Sequence, residues 1–336
     1  MRIGVAGVGR IGGMHAANVA ATEGVDEVLL YSEPAGQAVT AAAELGGRAR
    51  AVGSLGELLA AADGVVIATP TPTHPELVRA AVAAGVPAMC EKPLAMDRAT
   101  LVAVAREVEG GVPVMVAFPR RYDPAHQELR RRVAAGEAGR VHHLRAAGHD
   151  RVPPPAAFVP TSGGIWRDLL IHDFDVMPWI AGERVVEVFA TGSVLVDPVY
   201  AESGDADTAV AVLRFASGAL GTVTGARENG HGYDFRLEVC GSRATFAAGV
   251  GPRTPIAGLE PGAVPPADPY QGFPDRYGHA YRAEVAHLLR LIRGEAENLS
   301  APLDGLHALE IAEACEQSAA RRRPIRIGAD GALTTT

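Results

Sequence analysis

Apolar and polar positions fall into two textures along this chain. From residue 2 to about residue 118, short apolar runs are followed by longer stretches with apolar residues three and four apart. The runs Arg2–Ala6, Val25–Tyr31, a short one near Ala51, Gly64–Ala68, Val86–Cys90 and Val114–Phe118 read as strands. A helix through about Ala21, then Ala35–Leu45, Leu55–Ala61, His74–Ala84 and Asp97–Val108 fill the intervals. Strands taking turns with helices predict a parallel sheet with crossover helices.

After about Asp123 the texture changes. A helix (Pro124–Ala135) leads to a strand (Val141–Gly148), a proline-rich loop (Val152–Pro160) and a helix over Gly163–Ile180. Alternating runs follow at Val185–Val194, Ala209–Phe215, Ala219–Ala226, Phe235–Cys240 and Ala244–Ala247, with Gly, Asp and Ser in the turns. This pattern predicts a mostly antiparallel sheet. Gly251–Phe273 reads as a Gly/Pro-rich loop, and helices at Tyr277–Arg293 and Leu303–Ala320 close the chain.

The glycine pattern sharpens the first half. Gly7-Val8-Gly9-Arg10-Ile11-Gly12 sits between the first strand and the first helix, the context a dinucleotide fingerprint requires. Gly7 permits the tight turn, Gly9 lets the backbone approach a pyrophosphate, and Gly12 lets helix and strand approach closely. The expectation is therefore an α/β N-terminal Rossmann domain over 1–120, a doubly wound parallel sheet. An α+β domain over 121–330 follows, with a large open, mostly antiparallel sheet for substrate binding and oligomerisation. The last helix is free to pack back on the first domain. A length of 336 residues suits two domains.

In such sheets ligands bind at the carboxyl ends of the strands. Ser32 and Glu33 end the second strand, where an acid holds the ribose hydroxyls of the adenosine. Glu33 would repel a 2′-phosphate, so NAD is favoured over NADP, although Glu33 also suits a solvated turn. Thr69, Pro70, Thr71 and His74 follow another strand, as a cofactor wall or simply a stiff turn. Glu91 and Lys92 follow the next, and Arg120 the last. A lysine there can hydrogen-bond a reacting hydroxyl and stabilise its developing charge. It is the one lysine in an arginine-rich chain.

In the second half, Asp168 and His172 are four residues apart, one above the other on the expected helix. A carboxylate that fixes an imidazole tautomer makes a proton-transfer group. The same spacing also describes an ordinary helix pair worth a few tenths of a kcal/mol.

Composition excludes other classes. The net charge of −8 gives no general field for nucleic acid or an anionic membrane. The arginine runs Arg130–Arg132 and Arg321–Arg323 fall at helix ends, where cations suit the dipole. Cys90, Cys240 and Cys315 are far apart and form neither a disulfide framework nor a metal spacing, which fits a reducing cytoplasm. No signal peptide, no bilayer-spanning run and no metal site are expected.

The motifs GVGRIG, EKPLAMD, FPRRYDP, GGIWRDLLIHDFDVMPWI and GLHALEIAEACEQSA, in this order and spacing, resemble the glucose–fructose oxidoreductase / inositol dehydrogenase / MocA-like family across essentially the whole chain. Within it the set is most similar to the inositol 2-dehydrogenases. The resemblance implies a catalytic triad of Lys92, Asp168 and His172. It implies Gly7, Gly9, Arg10, Ile11, Gly12, Ser32, Glu33, Thr69, Pro70, Thr71, His74, Glu91 and Lys92 as cofactor contacts. Arg120, His149, Arg151, Tyr233 and Tyr281 would join Lys92, Asp168 and His172 around the substrate. The implied reaction is hydride transfer from a cyclic polyol to NAD by a homo-oligomer, a tetramer or dimer. Pro119, Leu169 and the Pro153–Pro155 run depart from the expected pocket and leave the polyol open. The alternatives are levoglucosan, glucose, scyllo-inositol or an aminocyclitol as substrate, or a cofactor-binding regulator without turnover.

Overall fold

The structure is a computed structural model that describes residues 1–335. Two compact units are formed, residues 1–122 with 279–306, and residues 123–278 with 307 onward. A linear division at 120/121 does not include the return of 279–306 to the first unit.

The first unit runs β1 (Arg2–Ala6), α1 (Arg10–Ala21), β2 (Glu27–Tyr31), α2 (Ala35–Leu45), β3 (Ala49–Ala51), α3 (Leu55–Ala61), β4 (Gly64–Ile67), α4 (His74–Ala83), β5 (Ala88–Glu91), α5 (Arg98–Glu107) and β6 (Val114–Ala117). All neighbours in the order β3-β2-β1-β4-β5-β6 are parallel. The order reverses between β1 and β4, which is the switch point where such sheets bind ligands. Ile3, Val5, Leu29, Leu30, Val65, Val66 and Met89 are fully buried, as expected of strands covered on both faces. Capping sharpens the helix starts: Ser54 Oγ accepts from the Glu57 N–H at 3.1 Å and Asp97 Oδ1 from the Thr100 N–H at 2.9 Å. β5 starts at Ala88 rather than Val86, because Pro87 has no N–H for the ladder.

The second unit begins with α6 (Pro124–Ala134), β7 (Val141–His149), α7 (Gly164–Asp168), α8 (Ile171–Ala181), β8 (Val185–Ser193), α9 (Val199–Glu202), β9 (Thr208–Phe215), β10 (Leu220–Ala226), β11 (Asp234–Gly241) and β12 (Thr245–Ala248). Among the described residues no helix or strand lies between 249 and 272. α10 (Phe273–Ile292) carries the chain from this unit to the first, so that Ile292 packs over Gly64 there. α11 (Leu306–Arg321), β13 (Ile325–Ile327) and β14 (Leu333–Thr335) follow. The eight strands lie in the order β12-β11-β7-β10-β9-β8-β13-β14, antiparallel except for β7 with β10. Along β9 the residues Ala209, Ala211, Leu213 and Phe215 are buried, while Val210 and Val212 face out.

The expected single helix over Gly163–Ile180 is broken. α7 ends at Asp168 and α8 starts at Ile171. The Leu169 and Leu170 N–H groups both donate to the Ile165 carbonyl, and the Asp173 and Phe174 N–H groups both donate to that of Leu170. Tertiary contacts override the helical pattern here. The fully buried Leu170 is drawn against β10 and β7, where a Cβ on Gly225 would stand 2.9 Å from it and one on Gly148 3.4 Å. Burying such a side chain contributes about 1.5–3 kcal/mol, more than a strained helical turn costs. Asp168 and His172 therefore stand on two short helices.

Candidate active site

The nucleotide cradle is built from what a side chain would obstruct. Gly7 has φ +88°, and a Cβ there would stand 2.7 Å from the Ala68 carbonyl. A Cβ on Gly12 would stand 1.8 Å from the Gly7 oxygen, so only glycine lets α1 meet the turn. On Gly9 a Cβ would meet no described atom within 4 Å. That position faces open space at the start of α1, where among the described residues no side chain caps the helix and no acid lies in its first turn. Arg10 and Ile11 open that helix, so the N–H groups of its first turn and the positive dipole end face the loop. The chemistry fits a dinucleotide pyrophosphate.

Around this cradle the strand-end residues divide into two kinds. Glu33 is exposed and accepts from the Tyr31 hydroxyl. Ser32 is 3% exposed and spends its hydroxyl on the chain, donating to the Pro34 carbonyl and accepting from the Ala38 N–H. It starts α2 rather than presenting a polar group to a ribose. Pro70 and Thr71 lie in a short 3-10 turn, and the Thr69 and Thr73 hydroxyls bond each other at 2.7 Å. His74 is buried, with its ring nitrogens 2.9 Å from the Pro93 carbonyl and 2.8 Å from that of Thr69. Burial pulls its pKa below the usual histidine value against both bonds. His74 straps the Thr69 loop to the lysine loop instead of reaching a cofactor.

Lys92 is the only lysine of the chain. It follows β5 directly, behind a buried pair: Glu91 Oε1 lies 2.7 Å from Nε2 of the fully buried His15 on α1. The other oxygen, Oε2, accepts from the Lys92 N–H at 3.1 Å. Burial pushes the Glu91 carboxyl up, but His15, Lys92 and His74 outweigh it and hold it below the usual range. Tyr281, on α10, stands edge-on to His15 at 5.8 Å within this same unit. It supports the histidine under Lys92. Arg120 is buried in the turn after β6, and its neighbour Arg121 donates to the Leu299 carbonyl at 2.7 Å.

In the second unit, two glycines of positive φ, Gly163 and Gly164, aim α7. Asp168 ends that helix, and its Oδ2 accepts from Arg227 Nη1 at 2.9 Å. His172 is the second residue of α8. Tyr233 is buried, stacked on Phe235 at 4.1 Å with Tyr277 edge-on. His149 ends β7, with Nε2 2.9 Å from the Thr224 hydroxyl of β10. Strand alternation puts its side chain on the face opposite that of Gly148, which lies against α8. Burial lowers the His149 pKa. Arg151 is exposed in the loop beyond.

Sequence spacing missed three groups under these residues. His15 and Glu91 are 76 positions apart, and Arg227 and Asp168 are 59 apart. The third is Glu284 on α10, fully buried, whose carboxyl oxygens have no hydrogen-bond partner among the described residues. Burial, with the Glu91 charge behind it, pushes its pKa well above the carboxylate range. Among the described residues no group of His, Cys, Asp and Glu could hold a metal ion, and no helix is long and apolar enough to cross a membrane.

Known proteins place this architecture. Residues 1–118 match the oxidoreductase family with the NAD-binding Rossmann fold, and residues 126–247 match the GFO/IDH/MocA C-terminal domain. A myo-inositol dehydrogenase of Streptomyces leeuwenhoekii is 39% identical over 95% of this chain and 97% of its own. A myo-inositol 2-dehydrogenase of Thermotoga maritima is 37% identical over 97% and 98%. The crystal structure of a myo-inositol dehydrogenase from Corynebacterium glutamicum superposes with a TM-score of 0.86 at 36% identity, covering 98% of this chain and 99% of that one. With both halves matched in order and relatives aligned end to end, the chain belongs to the GFO/IDH/MocA family of NAD-dependent oxidoreductases.

Proposed function

We propose that this chain oxidises one secondary hydroxyl of a cyclic polyol of the inositol class to a ketone. The observation that carries the reading is the placement of its single lysine. All other Lys/Arg positions, 30 of 31, are arginine, yet the residue after β5 is lysine. A compact ammonium on a flexible stem can approach one reacting oxygen, where a planar guanidinium would be too broad. The two myo-inositol dehydrogenase relatives support the substrate class.

His172 takes the hydroxyl proton. Asp168 orients the imidazole and stabilises its charged form. Lys92 donates a hydrogen bond to the reacting oxygen and steadies the negative charge that develops there. Arg120, Arg151 and Tyr233 are the remaining polar groups proposed to select the polyol; His149, expected among them, bonds Thr224 on the opposite face of the sheet. The backbone of Gly7, Gly9, Arg10, Ile11 and Gly12, the Glu33 carboxylate and the Thr69–Thr71 loop would hold the dinucleotide. NAD supplies the hydride acceptor when bound, and the Glu33 charge disfavours the 2′-phosphate of NADP.

The test is turnover by the purified protein with NAD or NADP and a panel of myo-inositol, scyllo-inositol, glucose, levoglucosan and an aminocyclitol, followed by NADH absorbance. The expected result is NAD-dependent oxidation, fastest with an inositol. Tight NAD binding without turnover on any polyol would replace this reading with ligand sensing.

We also infer a homo-oligomer. The outward face of the second sheet exposes Phe189 (43%), Val210, Val212 and Leu220 (each 41%), an apolar patch that a second copy would cover. Sedimentation velocity should give a dimer or tetramer that Val212→Glu weakens. A monomer at micromolar concentration would end that proposal.

A further inference from the structure

The Asp168 carboxylate does not stand alone in the second unit. Arg227, at the end of β10, is 3% exposed, and its Nη1 lies 2.9 Å from Asp168 Oδ2 and 3.5 Å from Asp150 Oδ2. Asp205 adds a third carboxylate, whose charge also acts on this guanidinium. Asp205 Oδ1 accepts from the Ile165 N–H at 2.9 Å, near the start of α7, and Asp168 ends the same helix. One cation and one carboxylate therefore pin the two ends of a five-residue helix. The mount is itself anchored: the Arg227 N–H donates to the Asp207 carbonyl and the Asp150 N–H to that of Ala226, both at 2.8 Å.

We propose that Arg227 is the positioning residue of the proton-handling pair: it keeps Asp168 ionised and aimed, and so sets the pH range over which His172 can act as the base. The inference rests on the roles given above to Asp168 and His172. Asp168 from α7, Asp150 from beyond β7, Asp205 from before β9 and Tyr200 from α9 face the guanidinium, and Asp207 acts on Tyr200. Carboxylates gathered this closely without a cation repel one another and retain a proton. A protonated Asp168 could no longer receive the imidazole N–H as a charged acceptor. Burial opposes the Arg227 charge, and Asp168, Asp150 and Asp205 more than reverse that effect. Arginine suits the place because its charge is permanent, and its Nη1 alone faces both Asp168 and Asp150.

The test compares Arg227→Met and Arg227→Lys with the unaltered enzyme, using NAD and myo-inositol. Full pH profiles, kcat and KM are measured, and NAD affinity is titrated separately. Arg227→Met should lose about 10²-fold in kcat, the scale of a misplaced catalytic group. NAD affinity should stay unchanged. The acid limb of the profile should move up by about one pH unit, as expected on losing a cation beside the pair. Arg227→Lys, which keeps the charge, should return the limb to its place and recover only part of kcat. It also carries the test if the Met variant fails to fold. An unmoved limb in a folded Met variant overturns the inference, as does a raised KM for the polyol at unchanged kcat. Asp168→Asn and His172→Ala run alongside separate the two layers. If they turn over normally, the proposed roles fail. If they are inactive while Arg227→Met behaves as the parent, only the inference about Arg227 fails.

Discussion

The two units mount their chemical groups by opposite means. In the first, the lysine loop rests on bonds to backbone and on one buried histidine–carboxylate pair, with the fully buried Glu284 left without a hydrogen-bond partner among the described residues. In the second, Asp168 is held by a buried cation with other carboxylates around it. A mount made largely of backbone bonds around one carboxylate places a side chain with a single opposite charge beside it. A mount of opposed charges places a side chain and also fixes its ionisation. The difference fits the proposed tasks: Lys92 has to be in one place, whereas Asp168 has to be in one place and in one protonation state.

The largest expected effect removes the proposed base. His172→Ala should lower kcat by about 10²–10⁴. NAD affinity, measured by fluorescence titration, should be unaffected because the cradle belongs to the other unit. Turnover near that of the parent would remove His172 from the reaction.

Next comes the lysine. Lys92→Arg keeps the charge and changes its shape, and kcat should fall about 10²–10³, the range for losing one oriented donor. If the arginine variant retains most activity, charge alone suffices and the placement of the lysine says nothing about mechanism.

Glu284→Gln tests whether the first unit carries a neutral acid. Unfolded, this carboxyl ionises near pH 4.5; folded, it does so well above that value. Between those points the folded chain keeps a proton that the unfolded chain has released, so stability falls as pH rises. Glutamine has no such proton. The stability difference in favour of the variant, read by chemical denaturation, should widen above pH 4.5 by up to about 1.4 kcal/mol per pH unit. A gap that stays constant with pH would mean Glu284 is not held protonated.

The smallest effect belongs to Ser32→Ala. Losing the acceptor for the Ala38 N–H should cost about 1 kcal/mol, with the KM for NAD unchanged. A raised KM at unaltered stability would return Ser32 to the cofactor side.

What the chain reveals before folding follows from how local each constraint is. The cradle is legible because Gly7, Gly9 and Gly12 each answer a clash or an opening within a few residues or one strand away. The strand ends are legible because the alternation of strand and helix places them all on one edge. The break at Leu169–Leu170 is not, since it follows from two glycines on strands that the helical pattern cannot see. Arg227 reads as one arginine among many until β10 brings it beside Asp168. Glu284 reads as a solvated helix residue until α10 buries it. Ser32 and His74 sit at the expected positions, but their polar atoms are taken by nearby carbonyls and an amide, which spacing does not reveal. β13 and β14 are three residues long, too short for any periodicity to register.

A chain with one ε-amine can be observed at that amine alone. Growth on lysine carrying nitrogen-15 would give a spectrum with a single side-chain signal, assigned without mutation. Amine-selective reagents would have only one target besides the chain terminus. The group proposed to meet the reacting oxygen could then be followed directly as dinucleotide and polyol are added, with no other side chain contributing to the record.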